Sequence, residues 1–325
     1  MNRRDFLGIV GAAVCPLSAA AQHLDQVPVG FLSATSAEAY PHLLAAFHRG
    51  LAETGYADGR NLAISYRWAE GDYKRLPALA AELVRQKPTV IAVTGGSVSA
   101  IAAKAATSTI PLVVLSGGDP IKLGLIESFS RPGGNVTGVA QLTNSLGAKR
   151  FELLRELVPQ ASVIALLVNP DRPTAEMQAE VDSAAHALGL ATHVVRARRE
   201  SELEAAFAEL RASRAGALIV VPDPFFLVAR KAIVALAARY ALPAIYDWRE
   251  FAEDGGLVSY GTSLAEAYRQ VGLYTGRILS GAKPADLPMV QQSTKLELVL
   301  NARTARALGM SISPSLLARA DEVIE

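Results

Sequence analysis

Two rhythms of apolar and polar positions follow one another along this chain. Short apolar runs end in small polar residues, and each is succeeded by a stretch in which apolar residues recur every three or four positions. Residues 27–33 form the first run. Leu43, Leu44, Phe47 and Leu51 then mark a helix that stops at Gly55. Residues 62–68 alternate as a strand, and Leu76, Leu79, Ala80, Leu83 and Val84 share one helical face. Pro88 ends that helix. A buried strand is predicted over 89–93, a helix over 97–107, and strands over 111–115 and 136–139, the last after the turn signal Arg131-Pro132-Gly133-Gly134.

The second half repeats the alternation. Helices are predicted over 146–158, 174–188, 201–212 and 225–240, each followed by a strand, at 163–168, 192–196, 217–221 and 243–246. The remainder is less regular: a strand at 257–260, a helix at 264–279, a strand at 295–300 and a helix at 302–308. Short apolar strands between helices predict parallel sheets covered on both faces, joined by right-handed crossovers. A chain of 325 residues exceeds the usual single core, so two α/β units are expected. Their boundary falls near 141–145, where no charged or Pro/Ser-rich run intervenes; that composition reads as a short hinge rather than a tether.

The first 21 residues are set apart from this pattern. Arg3 and Arg4 precede Phe6 and Leu7, an apolar stretch follows, and Ala19-Ala20-Ala21 closes it as a small-x-small cleavage site. A charged head, a short apolar middle and a small-residue exit form a secretory signal. The paired arginines favour the twin-arginine route. The stretch is shorter than the roughly 20 apolar residues of a membrane span. The single cysteine, Cys15, lies inside this signal, so a chain cut after Ala21 has no disulfide and no thiolate chemistry. Val14 before it departs from the small residue that a lipid-attachment site requires. The 32 Lys and Arg against 31 Asp and Glu leave a formal charge of +1, which gives no electrostatic footprint for nucleic acid or an anionic membrane.

In open parallel sheets, ligands bind beyond the carboxyl ends of the strands. Those ends carry Ser33, Ala34 and Thr35 with Tyr40 beyond; Thr94, Gly95, Gly96 and Ser97; and Ser116, Gly117, Gly118 and Asp119. In the second unit they carry Asn169; Asp223 before Pro224 and Phe225; and Tyr246, Asp247 and Trp248. Residues 94–97 suit a carboxylate. Glycines allow close backbone approach, free N–H groups at a helix start favour an anion, and the hydroxyls add donors without a competing charge. The same glycines also suit a plain strand–helix turn. No lysine follows them, as a P-loop requires, and no Gly-x-Gly-x-x-Gly fingerprint occurs. Asp119 and Asp247 are placed either to pair with a ligand cation or to cap the turn that follows each. Tyr40, Phe225, Tyr246 and Trp248 are placed either to stack on a flat ligand or to pack in the core. The five histidines show no metal-ligand spacing, and no Gly-x-Ser-x-Gly elbow occurs.

Several stretches together resemble a known family. They include Tyr66-Arg67-Trp68-Ala69-Glu70-Gly71, Leu76-Pro77-Ala78-Leu79-Ala80, Gly117-Gly118-Asp119-Pro120 and Arg131-Pro132-Gly133-Gly134-Asn135-Val136-Thr137-Gly138. Further on come Gly147-Ala148-Lys149-Arg150, Val168-Asn169-Pro170, Asp223-Pro224-Phe225-Phe226, Tyr260-Gly261-Thr262 and the ending Leu316-Leu317-Ala318-Arg319-Ala320-Asp321-Glu322. In this order they resemble the ABC-transporter substrate-binding proteins of the tryptophan/tyrosine type, which have the type I periplasmic binding protein fold.

The resemblance implies two doubly wound α/β lobes with parallel sheets, joined by a three-crossing hinge, with a solute held between them. The crossings would fall near 139–142, 260–263 and 284–288. That division gives a signal peptide at 1–21, a first lobe of 22–140 plus 262–285, and a second of 141–261 plus 286–325. By segment position it implies a ligand site made of Ser33, Thr35, Tyr40, Thr94, Gly95, Gly96, Ser97, Gly117, Gly118, Asp119, Thr137, Asn169, Asp223, Tyr246, Asp247, Trp248 and Tyr260. The function implied is capture of a small carboxylate-bearing solute, an aromatic or branched amino acid, for a permease in the cytoplasmic membrane. The protein would work in the periplasm as a monomer, without metal or cofactor and without a nucleic-acid partner. Two other readings stay open at this point: a ligand sensor that docks on a signalling receptor, and a periplasmic enzyme using Asp119 or Asp247 as acid or base.

Overall fold

The computed structural model describes residues 26–38, 41–141, 146–172, 175–291 and 296–325. The expected signal, Cys15 and Tyr40 lie outside them. The chain begins with β1 (Val27–Ser33), α1 (Pro41–Ala52), β2 (Leu62–Trp68), α2 (Leu76–Arg85), β3 (Val90–Thr94), α3 (Gly96–Ala106), β4 (Leu112–Ser116) and β5 (Val136–Ala140). It continues through α4 (Gly147–Leu157), β6 (Val163–Val168), α5 (Ala175–Ala187), β7 (Ala191–Arg196), α6 (Glu200–Ala212) and β8 (Ala217–Val220). Next come α7 (Pro224–Val228), α8 (Arg230–Arg239), β9 (Ala244–Tyr246), α9 (Arg249–Glu253) and β10 (Val258–Thr262). The last part holds α10 (Leu264–Leu279), β11 (Val290–Gln291), β12 (Leu296–Asn301), α11 (Ala302–Ala307), α12 (Pro314–Arg319) and β13 (Glu322–Ile324).

The strands form two sheets, one for each lobe. The first has the order β11-β5-β4-β3-β1-β2, the second β13-β12-β10-β9-β8-β6-β7. Every residue of β3, β4 and β5 is buried. Such strands, apolar on both faces, need helices on both sides, and the alternation of element types supplies them.

Pairing is parallel throughout the first sheet. In the second sheet the pairing is parallel except that β12 runs antiparallel to β10. The polarity of the crossings explains this. The carboxyl edges of both sheets face each other, so a chain leaving the end of β11 reaches the second lobe at its carboxyl edge. A strand entering there runs opposite to its neighbours.

The third crossing therefore follows Gln291, later than the 284–288 expected. Residues 287–291 belong to the first lobe because their backbone is bonded there: Thr137 Oγ1 donates to Leu287 O (2.7 Å) and Met289 N to Phe129 O (2.8 Å), while β11 pairs with β5. The division expected at residue 285 moves accordingly.

α10 returns the chain from the second lobe to the first and packs on α1. Ser263 caps its start by accepting from Glu266 N. Two glycines allow the helices to touch backbone to backbone. A Cβ on Gly50 would lie 1.9 Å from Arg269 O, and one on Gly272 would lie 2.1 Å from Phe47 O. At the rim Arg269 reaches Glu53 at 2.6 Å and Glu266 at 2.7 Å. Because α10 also carries residues of the interlobe cavity, this close approach sets their position. Gly50→Ala forces the helices apart and is expected to destabilise the protein by about 2 kcal/mol or more, the scale of an overpacked interior. Urea unfolding of the two proteins measures it, and an equal stability would show that the helices separate freely.

Candidate functional site

Where the carboxyl edges meet, residues from both lobes line a small cavity. The first lobe lines it with Thr35, Gly95, Gly96, Leu115, Gly117 and Gln141, and α10 adds Leu264 and Tyr268. The second lobe contributes Arg172, Pro222, Pro224, Leu227 and Trp248.

The β3–α3 turn has a physical reason for each of its glycines. Gly95 and Gly96 have φ of +75° and +80°, a region that side chains disfavour. A Cβ on Gly95 would also stand 2.5 Å from Ala34 N. The turn lets α3 begin at the cavity wall, where its unpaired N–H groups and positive dipole end attract an anion.

Ser97, expected to add a hydroxyl to an anchor there, is committed elsewhere. Its Oγ lies 3.0 Å from Ser116 Oγ and accepts from Gly118 N (3.1 Å), while Ser116 Oγ donates to Gly118 O (3.0 Å). Ser97 and Gly118 thus brace the loop whose Gly117 reaches the cavity. Ser33 is buried beneath Thr35, with the two hydroxyls 2.8 Å apart. The Tyr268 phenol faces the hydroxyls of Ser33, Thr35 and Thr94, and burial holds it above the usual tyrosine range, so it stays protonated. Thr94 is fully buried beside that phenol.

Other first-lobe expectations lie outside the lining. Asp119 caps its own turn, accepting from Ile121 N (2.9 Å) and Lys122 N (3.4 Å). Thr137 holds the β11 segment through Leu287 O.

On the second lobe, Asn169 and Asp223 form a buried pair behind the wall. Asn169 Nδ2 donates to Asp223 Oδ1 (3.1 Å), and Asn169 Oδ1 accepts from Asp171 N (3.0 Å). Asp223 caps α7 by accepting from Phe225 N (2.9 Å). Burial pushes its carboxyl up, while Arg172, Tyr73, Asn169 and the Phe225 N–H oppose the shift. Arg172 itself is buried and donates to Pro222 O.

Tyr246, Asp247 and Trp248 diverge after β9. Tyr246 is fully buried and stacks on Phe251 with ring centres 4.5 Å apart, inside the lobe. Trp248 turns to the cavity, and its indole N–H has no acceptor. Asp247, between them in sequence, is buried. Burial pushes its carboxyl up to about 7, against the attraction of Arg150. Tyr260 packs against the second lobe's own apolar cluster, and its carbonyl accepts from Arg150 Nε (2.8 Å).

Gln141, Arg172, Leu264 and Tyr268, like Leu115, Pro222, Pro224 and Leu227, were not among the expected site residues. Gln141 directly follows β5, and its Nε2 donates to Thr262 Oγ1 (2.9 Å), linking two of the crossings. Its place at the hinge was the available signal. Tyr268 and Leu264 reach the cavity because the crossing at β10 carries α10 back, which follows once that crossing is given weight. For Arg172 nothing local distinguished it from other arginines.

The lobes also touch directly. Tyr73 OH donates to Asp223 Oδ1 (2.6 Å), and His42 Nε2 lies 3.1 Å from Glu250 Oε1. Apolar packing is continuous across the junction, from Phe31 and Phe47 through Tyr268 to Phe225 and Trp248. Among the described residues no three His, Cys, Asp or Glu side chains gather as a metal site, and no helix is long and apolar enough to cross a membrane.

The family model described as "ABC transporter substrate binding protein" matches residues 29–324. The chain belongs to this family. A relative named "Tyrosine-binding protein", from Clostridioides difficile (strain R20291), is 27% identical over 267 residues, which are 81% of this chain and 75% of that protein. The crystal structure of a conserved domain protein from Vibrio cholerae is similar with a TM-score of 0.84 and 25% identity, over 92% of this chain and 99% of that one. The ABC domain in complex with L-Trp from Streptococcus pneumonia gives 0.79 and 25%, over 92% and 100%. The architecture is that of type I periplasmic binding proteins. As a member of a solute-binding family the chain binds rather than converts its ligand, which removes the enzyme reading of Asp119 and Asp247.

Asp247 has a consequence for stability. Its carboxyl moves from an ordinary value of 3.8 to about 7 on folding. The folded protein therefore keeps a proton that the unfolded chain releases, so this contribution is complete below about pH 4 and is lost as pH rises through 7. Urea unfolding at pH 5 and pH 8 should show wild-type stability falling more steeply than that of Asp247→Asn. Parallel losses would place the buried carboxylate in a charged, compensated state.

Proposed function

We propose that this substrate-binding protein is the exported receptor of an ABC importer and that it encloses an aromatic amino acid between its lobes. The observation that carries this reading is the chemical division of the cavity lining. Thr35 and the Gly95–Gly96 start of α3 offer hydroxyl and N–H donors, while Leu115, Leu227, Leu264, Pro224 and Trp248 offer apolar and aromatic surface. A carboxylate at the helix start and a flat ring against Trp248 satisfy both parts. The buried guanidinium of Arg172 adds positive potential at the same wall.

The relatives agree with this ligand class, one being named for tyrosine and another solved with L-Trp. Export is supported by the twin-arginine head and the Ala19-Ala20-Ala21 exit. A periplasmic receptor that closes on its solute presents the loaded form to a permease. Closure follows from differential affinity, since a solute touching both lobes favours the state in which both walls are in reach.

Thermal unfolding of residues 22–325 with L-tryptophan, L-tyrosine, tryptamine and tyramine tests the reading. At 100 times its dissociation constant an amino acid adds about 2.7 kcal/mol of stability. Both amino acids are expected to stabilise the protein and to be recovered unchanged. The amines, lacking the carboxylate, should fail. Stabilisation by the amines alone, or by none of the four, would overturn the ligand assignment. Trp248→Ala should lose most of the gain.

A further inference from the structure

Tyr73 does not line the cavity, yet it joins the two lobes beside it. It lies in the 3₁₀ turn Tyr73–Arg75 after β2, and the Asp72 side chain starts that turn by accepting from Lys74 N. The residues just before it are stitched to the end of β1. Ala69 N donates to Ser33 O (2.9 Å), Gly71 N to Ala34 O (2.7 Å) and Glu70 N to Thr35 O (3.0 Å). The base of Tyr73 is thus tied to Thr35, which lines the cavity.

On the opposite side Tyr73 meets the start of α7. Its hydroxyl donates to Asp223 Oδ1 at 2.6 Å and accepts from Phe225 N at 3.0 Å. The same carboxylate oxygen is fixed by Asn169 Nδ2 and Phe225 N. Pro222 and Pro224, flanking Asp223, are both cavity-lining residues. Outside this contact lies a wider cleft bordered by Glu70, Lys74, Arg198 and Arg199, with Tyr73, Asn169 and Phe225 also among its lining. The Tyr73–Asp223 contact therefore stands between the interlobe cavity and this outer cleft.

We infer that Tyr73 sets the residence time of the solute without touching it, by latching the closed lobes on Asp223. The inference rests on the proposed function, because it needs a solute held by closure. In the closed state the phenol exchanges water for a carboxyl oxygen whose position is already fixed by two residues of its own lobe, Asn169 and Phe225. In an open state the two groups part and return to water. The bond then counts only toward the closed form and slows reopening, whereas encounter with the open form is untouched. Tyr73 is a positioning residue, and the quantity it moves is the dissociation rate rather than the association rate.

Tyr73→Phe keeps the packed ring and removes only the hydroxyl. Stopped-flow binding of L-tryptophan should give association rates within about twofold of wild type and dissociation roughly tenfold faster, the scale of one bond to a carboxyl oxygen. Small-angle X-ray scattering without solute should give the variant a larger radius of gyration, as its lobes spend more time apart. Unchanged dissociation would overturn the latch. If wild type binds neither L-tryptophan nor L-tyrosine, the ligand assignment fails by itself, and the scattering comparison decides the latch alone: identical radii of gyration would overturn it.

Discussion

The carboxyl edges of two sheets face each other across one cavity, and this opposition of strand directions governs the rest of the molecule. Each strand delivers its last residues, and each following helix its first, to the same gap. Backbone N–H groups, small hydroxyls and tight glycine turns therefore collect there, while the long apolar side chains lie along the strands and under the helices. The polarity also dictates the odd features of the topology. β12 runs antiparallel because the chain enters the second lobe from the gap. α10 belongs to the first lobe because β10 ends at the gap and the helix must leave it. Only because α10 crosses back, and because Gly50 and Gly272 let it lie against α1, does Tyr268 stand over the hydroxyls of Ser33, Thr35 and Thr94.

Closing such a gap takes polar groups away from water. The Trp248 indole N–H is buried beside the cavity without a partner. A buried donor or acceptor left in this condition costs about 1–3 kcal/mol. Continuous apolar packing from Phe31 to Trp248 and the Tyr73–Asp223 bond act in the other direction. A small difference between large opposing terms is what a binding protein of this type needs, because a solute of modest affinity can then decide the balance between open and closed. A molecule with an acceptor for the donors of the cavity wall and a ring for its apolar part supplies that difference.

Much of this was legible in the residues before any coordinates. The α/β alternation followed from periodicity, and the glycine turn at 94–97 from the coincidence of a strand end and a helix start. What could not be read were the partners of individual side chains. Ser97 suited a ligand as well as any hydroxyl, but Ser116, far along the chain, takes it. Tyr246 and Trp248 are aromatic residues two positions apart at one strand end. The strand is over after Tyr246, so period-two reasoning no longer says which ring faces the core, and it is Tyr246 that stacks on Phe251. Asp223 looked like a ligand group at a strand end, whereas its carboxylate is occupied by Asn169, Phe225 N–H and Tyr73, a residue 150 positions away. The end of the first lobe was placed too early because the two-residue β11 is too short to leave a periodic signal.

In the proposed complex both lobes hold one aromatic amino acid, carboxylate toward α3 and ring toward Trp248. A crystal structure of residues 22–325 grown with L-tryptophan tests it most directly. The carboxylate is expected within hydrogen-bonding reach of the Thr35 hydroxyl or the Gly95–Gly96 backbone, and the indole against Trp248 between closed lobes. Tryptophan bound outside this cavity, or inside it with its carboxylate directed away from α3, would contradict it.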